Sequence, residues 1–260
     1  MNFLDKAKEA AAAAADVIRH YYYEEGGSTL DVTMKSDHSP VTQADVESEQ
    51  AIKKVLSAAF PDHGFYGEEL GRENADADYL WLIDPIDGTK SFVRGYPFFS
   101  TQIALMHKGE LILGVSSAPA FNGGKGEMAW AEKGQGAWLD DKPIRVSDID
   151  TLNLATLSNG NIASLTRTPR WTGLGDLIRN VHRVRGYGDF YHYHLLASGR
   201  IDIILESDVN ILDIAALTVI LREAGGEITD LDGQAVGLQT TSVFATNGLL
   251  RGAAEALLNG

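Results

Sequence analysis

Apolar residues recur at three- and four-residue spacing through 3–23 and again through 43–59, and each stretch predicts an amphipathic helix. The first should stop near Gly26-Gly27. Thr42 reads as the N-cap of the second, with Asp45 at its third helical position, and Pro61-Asp62-His63-Gly64 ends it. The period then shortens. Residues 79–83 predict a buried strand, 100–106 and 111–117 a hairpin about Lys108-Gly109, 128–132 and 136–139 a second pair, and 143–146 a further element. Beyond about residue 150 the pattern alternates. Strands are expected at 153–158, 182–186, 201–205, 226–230 and 242–246, and helices at 172–180, 189–198, 213–224 and 248–258. Such alternation suggests a mostly parallel α/β layer, with Gly225-Gly226 stopping the helix before it. The fold class expected is α/β, an α+β first half (1–150) joined to an α/β second half (151–260) without a flexible linker.

The 260 residues suffice for one large domain or two closely packed ones. Hydrophobic content of 44% and charged content of 22% are ordinary for a globular protein. A net charge of −14 argues against nucleic acid or an anionic membrane as partner. The absence of cysteine excludes disulfides and thiolate metal sites. No apolar run approaches membrane-spanning length and the N-terminus lacks a signal-like pattern, so a cytoplasmic protein is expected.

The acids are unevenly placed. Gly67-Glu68-Glu69 precedes Trp81-Leu82-Ile83-Asp84-Pro85-Ile86-Asp87-Gly88-Thr89, and Leu212-Asp213-Ile214-Ala215-Ala216 follows much later. The second run reads as an apolar strand that ends in a carboxylate, a Pro-fixed turn, another carboxylate, a glycine and a hydroxyl. By itself Asp-Gly marks an ordinary turn; with the other acids it points to hard oxygen ligands for Mg²⁺, or Mn²⁺. Glu68, Asp84, Asp87 and Asp213 suit two divalent ions that clamp an in-line phosphoryl displacement, with the Ile86 carbonyl as a further ligand. Thr89 is placed to orient water, and Gly88-Thr89 to open a short helix over 90–94 whose free amides suit a phosphate. Asp45 has two readings, helix-start cap and site residue.

With Pro40-Val41-Thr42-Gln43-Ala44-Asp45 and Glu223-Ala224-Gly225-Gly226 added, the chain resembles, nearly end to end, the inositol monophosphatase superfamily of Mg²⁺-dependent, lithium-sensitive phosphatases. That resemblance implies a layered α/β/α/β/α sandwich, two or three Mg²⁺ per site, and a homodimer. Carried over, Glu68, Asp84 and the Ile86 carbonyl hold one ion; Asp84, Asp87 and Asp213 hold the second; Glu69 lies beside the first or a third. Thr89, Glu68 and Asp45 position the water, the Gly88 and Thr89 amides hold phosphate, and Lys35 either touches that network or is solvated. The family's usual tryptophan before the last aspartate is Leu212 here.

Around Arg185-Gly186-Tyr187-Gly188-Asp189-Phe190 and Thr89-Lys90-Ser91-Phe92-Val93-Arg94-Gly95, the chain looks more like the histidinol-phosphatase branch. Asp189 and Glu206 then meet the ammonium and imidazole of a small phosphorylated alcohol, with Arg185 beside them; otherwise Asp189 merely caps a helix. Alternatives are an inositol or broad sugar phosphatase, a nucleotide 3′-phosphatase, and a catalytically silent binding module. His192 and His194 read as surface or interface residues rather than metal ligands, and Tyr21-Tyr22-Tyr23 as a helix end packed on a neighbour.

Overall fold

Alanine costs nothing in helix propensity and lets backbones approach closely. In the computed structural model, α1 (Phe3–Arg19) uses this: Ala7, Ala10, Ala11, Ala14 and Ile18 are buried, and the helix packs along α2 (Gln43–Ala59). Asn2 caps α1 by accepting from the Leu4 amide, and a single π turn, His20–Glu24, follows it. Tyr22 of that turn packs on Phe92 and Phe99 and donates to the Gly95 carbonyl. The structure describes residues 2–24, 33–34 and 40–260; the expected Gly26-Gly27 stop and Lys35 lie outside them.

Two short strands, β1 (Thr33–Met34) and β2 (Pro40–Val41), pair antiparallel. The large sheet comprises β3 (Gly64–Gly67), β4 (Gly71–Glu73), β5 (Tyr79–Asp87), β6 (Ser100–His107), β7 (Glu110–Ala118), β8 (Glu127–Glu132), β9 (Ala137–Leu139) and β10 (Lys142–Ile144). Its order is β10-β9-β8-β7-β6-β5-β3-β4, antiparallel except where β3 meets β5. Strand β5 runs four residues past its predicted end and carries Asp84 and Asp87. The short helix α3 (Thr89–Val93) follows directly.

In the second half α4 (Ile162–Leu165) and α5 (Trp171–Asn180) follow β11 (Thr156–Asn159). Then come β12 (Arg183–Arg185), α6 (Asp189–Ala197), β13 (Ile203–Ser207), α7 (Ile211–Glu223), β14 (Glu227–Thr229), β15 (Ser242–Thr246) and α8 (Arg251–Leu258). The sheet order is β12-β11-β13-β15-β14. The expected mostly parallel sheet is in fact mixed. β11 is parallel to β12 and β13, whereas β15 is antiparallel to β13 and β14. No helix lies between β14 and β15, so no crossover returns the chain in the same direction.

These elements stack in five layers. One core fills the space between α1, α2 and the large sheet; a second surrounds α6 and α7 between the two sheets; a third lies beneath α5 and α8. The middle core mixes Leu82 and Ala104 with Leu212, Ile214 and Leu217, so both halves share it. At Gly114 a Cβ would lie 2.3 Å from the Ala216 carbonyl oxygen, which fixes how closely α7 seats on β7.

His192 and His194 are not surface residues. Both are fully buried on α6, because that helix lies between two sheets and has no solvent face for them. His194 bridges Glu127 (2.8 Å) and Ser116 (2.9 Å) of the large sheet.

Candidate active site

Strand β5 delivers two acids by breaking its own register. Pairing with β6 shifts between Asp84 and Asp87, and Asp84 Oδ1 accepts the Ile86 amide at 3.0 Å, turning the backbone at Pro85. Thr101 Oγ1 donates to the Pro85 carbonyl at 2.9 Å and holds the turn to the sheet. Gly88 then takes φ +90°, where a Cβ would meet the Phe98 carbonyl oxygen at 2.8 Å. A side chain is excluded here on both counts.

Asp213 arrives from the opposite direction, on the first turn of α7, which starts at Ile211 rather than at Asp213 itself. Its Oδ2 accepts the Asn210 amide (2.8 Å) and its Oδ1 the Asn210 side-chain amide (2.7 Å), a capping box. Asp84, Asp87 and Asp213 each bring an oxygen within 4.8 Å of the others'. Glu68 stands on the same wall, close enough for its charge to act on Asp84 and Asp213. Loss of water around Asp84 and Asp87, followed by the charges of neighbouring acids, pushes both well above the usual carboxylate range. Asp213 is raised to about 7, chiefly by desolvation and then against the pull of the Asn210 amide. Acids so crowded repel one another when ionised, and oxygen-only donors at this separation fit a hard divalent cation.

Asp45 caps α2 and also reaches Thr89. Oδ2 accepts from the Thr42 amide (2.8 Å) and hydroxyl (2.6 Å), which caps α2, while Oδ1 lies 3.3 Å from Thr89 Oγ1. Thr89 Oγ1 is also 3.0 Å from the Ile86 carbonyl. One hydroxyl proton serves two acceptors, and the oxygen's lone pairs remain able to accept from water. Burial raises Asp45 to about 6.

Glu49 was missed from the sequence. It is buried one turn beyond Asp45 on α2, and its carboxylate accepts the amides of Glu69 (2.7 Å) and Leu70 (3.1 Å), which fixes the loop that carries Glu68. A Cβ on Gly67 would sit 1.7 Å from Glu49 Oε1, so this glycine makes room for that carboxylate. The signal was the i, i+4 spacing of two acids on one helix face.

Glu68, Asp84, Asp87, Thr89 and Asp213 line a cleft of about 470 Å³, and Asp45 and Glu49 stand behind its wall. Asp189 and Glu206 face it too, as do Gly88, Thr89, Lys90 and Tyr193. Asp189 does not cap α6. Gly188 is the cap residue and makes no side-chain bond, while Asp189 takes φ +45° as the first helical residue, an uncommon conformation for a non-glycine. Desolvation, then the charge of Glu206, raises Asp189 to about 6. Buried Glu206 accepts from Tyr193 Oη at 2.8 Å and lies 3.1 Å from His192 Nε2. Arg185 is exposed, bonds the Val184 carbonyl, and is not on the cleft wall; neither is Glu69. Leu212 is buried in the middle core and does not line the cleft either, so replacing a tryptophan there changes packing rather than the wall.

The model of the inositol monophosphatase family matches residues 2–259. A histidinol-phosphatase of Mycobacterium tuberculosis is 40% identical over 90% of each chain, and an inositol-1-monophosphatase of Caulobacter vibrioides 34% identical over 84% of this chain and 86% of its own. Among solved structures, the extragenic suppressor protein suhB of Bartonella henselae superposes with a TM-score of 0.87 at 30% identity, covering 98% of this chain and 97% of its own.

Proposed function

The chain belongs to the inositol monophosphatase family, and from that premise we propose that it hydrolyses histidinol phosphate to histidinol with Mg²⁺. It is a phosphoric monoester hydrolase; the substrate, the ion and the residue roles are our reading. The observation that carries the substrate is the pair Asp189 and Glu206, two acids on the wall of the cleft that also holds Asp84, Asp87 and Asp213. Carboxylates beside a leaving alcohol suit one that bears an amine and an imidazole, as histidinol does, better than a neutral polyol.

Asp84, Asp87 and Asp213, with Glu68 and the Ile86 carbonyl, are the ligand set for Mg²⁺, or Mn²⁺, and Glu69 an outer acid for a third ion. When bound, the ions neutralise charge developing on the phosphoryl oxygens and lower the pKa of water. The remaining work falls to the chain. Asp45, chiefly ionised at pH 7, accepts a hydrogen bond from the Thr89 hydroxyl, which turns its lone pairs to an attacking water; Glu68 shares in holding that water. The Gly88 and Thr89 amides take the phosphate. A homodimer is part of the same reading, and a monomeric mass by light scattering would remove it.

Phosphate release with Mg²⁺ from L-histidinol phosphate, myo-inositol-1-phosphate, fructose-1,6-bisphosphate and adenosine 3′,5′-bisphosphate tests the proposal. A kcat/KM preference of about 100-fold for the first, roughly 2.7 kcal/mol, supports it. Equal rates on inositol phosphate favour the second reading, a myo-inositol-1-phosphate or broad sugar-phosphate phosphatase, the first of which the Caulobacter relative's name supports. Release from none of them leaves a silent phosphoester-binding module.

A further inference from the structure

Four side chains behind the cleft form a hydrogen-bonded chain. The Tyr187 amide donates to Ser158 Oγ at 3.2 Å. Ser158 Oγ lies 3.2 Å from His192 Nδ1, His192 Nε2 lies 3.1 Å from Glu206 Oε2, and Tyr193 Oη donates to that same oxygen at 2.8 Å. A backbone N–H can only donate, so Ser158 accepts from Tyr187 and is free to pass its own proton to Nδ1. With Ser158 donating to Nδ1, His192 presents its Nε2–H to Glu206. Glu206 Oε2 therefore meets two donors, while Oε1 has no hydrogen-bond partner among the described residues.

We infer that His192 is a positioning residue for substrate selection: tied to Ser158, it fixes the Glu206 carboxylate on the cleft wall for a cationic leaving alcohol. The inference rests on the amine-bearing substrate proposed above. Three features of the chain support it. Ser158 and His192 are fully buried, so neither bond competes with bulk water. Gly160 clears the space that Glu206 needs, since a Cβ there would lie 2.0 Å from Oε1. The Tyr187 amide ties the same serine to the segment that turns through Gly188 (φ +70°) into Asp189, so one hydroxyl anchors the supports of both acids.

The experiment compares kcat/KM for L-histidinol phosphate with that for β-glycerophosphate in wild type, His192→Leu, His192→Gln, Glu206→Gln and the His192→Leu/Glu206→Gln pair. His192→Leu lowers the ratio about tenfold, the weight of one hydrogen bond to a charged group, and does so through KM. His192→Gln, which keeps an N–H near Nε2, restores most of it. In the Glu206→Gln background His192→Leu has no further effect on the ratio. Should His192→Leu fail to fold, Ser158→Ala decides, with a smaller loss of the ratio in the same direction. A wild-type preference that survives both substitutions overturns the role of His192 alone. A wild type without preference overturns the substrate reading, and this role with it.

Discussion

The cleft joins two groups of acids that differ in what faces them. Asp84, Asp87 and Asp213 face one another, and the amide bonds that Asp84 and Asp213 accept are local backbone and cap bonds. Glu206 faces donors: a phenol and an imidazole N–H meet one of its oxygens. The same side-chain chemistry is thereby set to different tasks. Crowded acids raise one another's proton affinity and are relieved by a cation, whereas a carboxylate met by two donors is held in one orientation. Their origins differ as well. The first group comes from a contiguous strand end and a helix cap, the second from residues 48 positions apart, from Ser158 to Glu206, and from supports invisible in any local motif.

The sharpest way to break this comparison is to neutralise the first group. Asp87→Asn or Asp213→Asn should cut turnover by about a thousandfold, as expected when a preorganised charge is lost from the reacting centre. In metal-free buffer the same variants should melt higher than wild type, because they relieve repulsion, and should gain less from added Mg²⁺. A variant with near-normal rate and a wild-type response to Mg²⁺ would remove the cation assignment. Next in size is Gly67→Ala, whose Cβ overlaps the Glu49 carboxylate. Disturbing a support of this kind costs about 10- to 100-fold in kcat or metal affinity, measurable by Mg²⁺ titration of phosphate release.

Asp189→Ala addresses the second group. It should raise KM for L-histidinol phosphate by about tenfold and that for myo-inositol-1-phosphate by far less, a difference read directly from initial rates. Equal changes would take Asp189 out of recognition. The smallest effect is on stability. Asp45, Asp189 and Asp213 have folded-state values of about 6, 6 and 7, above the ordinary carboxylate value of 3.8. Between about pH 4 and pH 7 the folded protein therefore holds protons that the unfolded chain has released, so their contribution falls as pH rises through that window. With chelator present, the melting temperature of wild type should drop more between pH 5 and 7.5 than that of Asp213→Asn, by a few degrees.

Much of the fold was legible where periodicity and turns act locally. The helices at 3–23 and 43–59 and the hairpin about Lys108-Gly109 appear close to where the pattern puts them. Direction in the second sheet was not legible, since strand polarity depends on what lies between strands rather than on their composition, and the stretch between β14 and β15 holds no helix. The grouping of the acids at 84, 87 and 213 was legible because so many carboxylates beside turn residues point to one shared place, and the Asp45 cap because it stands three residues after Thr42 at a helix start. His192 and Glu49 were not. A polar residue inside a helix looks the same on paper whether it meets water or a buried carboxylate, and only packing between two sheets decides.

Phosphate release with Mg²⁺ by Glu206→Gln, on L-histidinol phosphate and on myo-inositol-1-phosphate, tests the division of labour most directly. The account predicts that the variant still hydrolyses both and loses most of the wild-type preference for the amine-bearing ester. An unchanged preference, or loss of hydrolysis on both substrates in a folded protein, would contradict it.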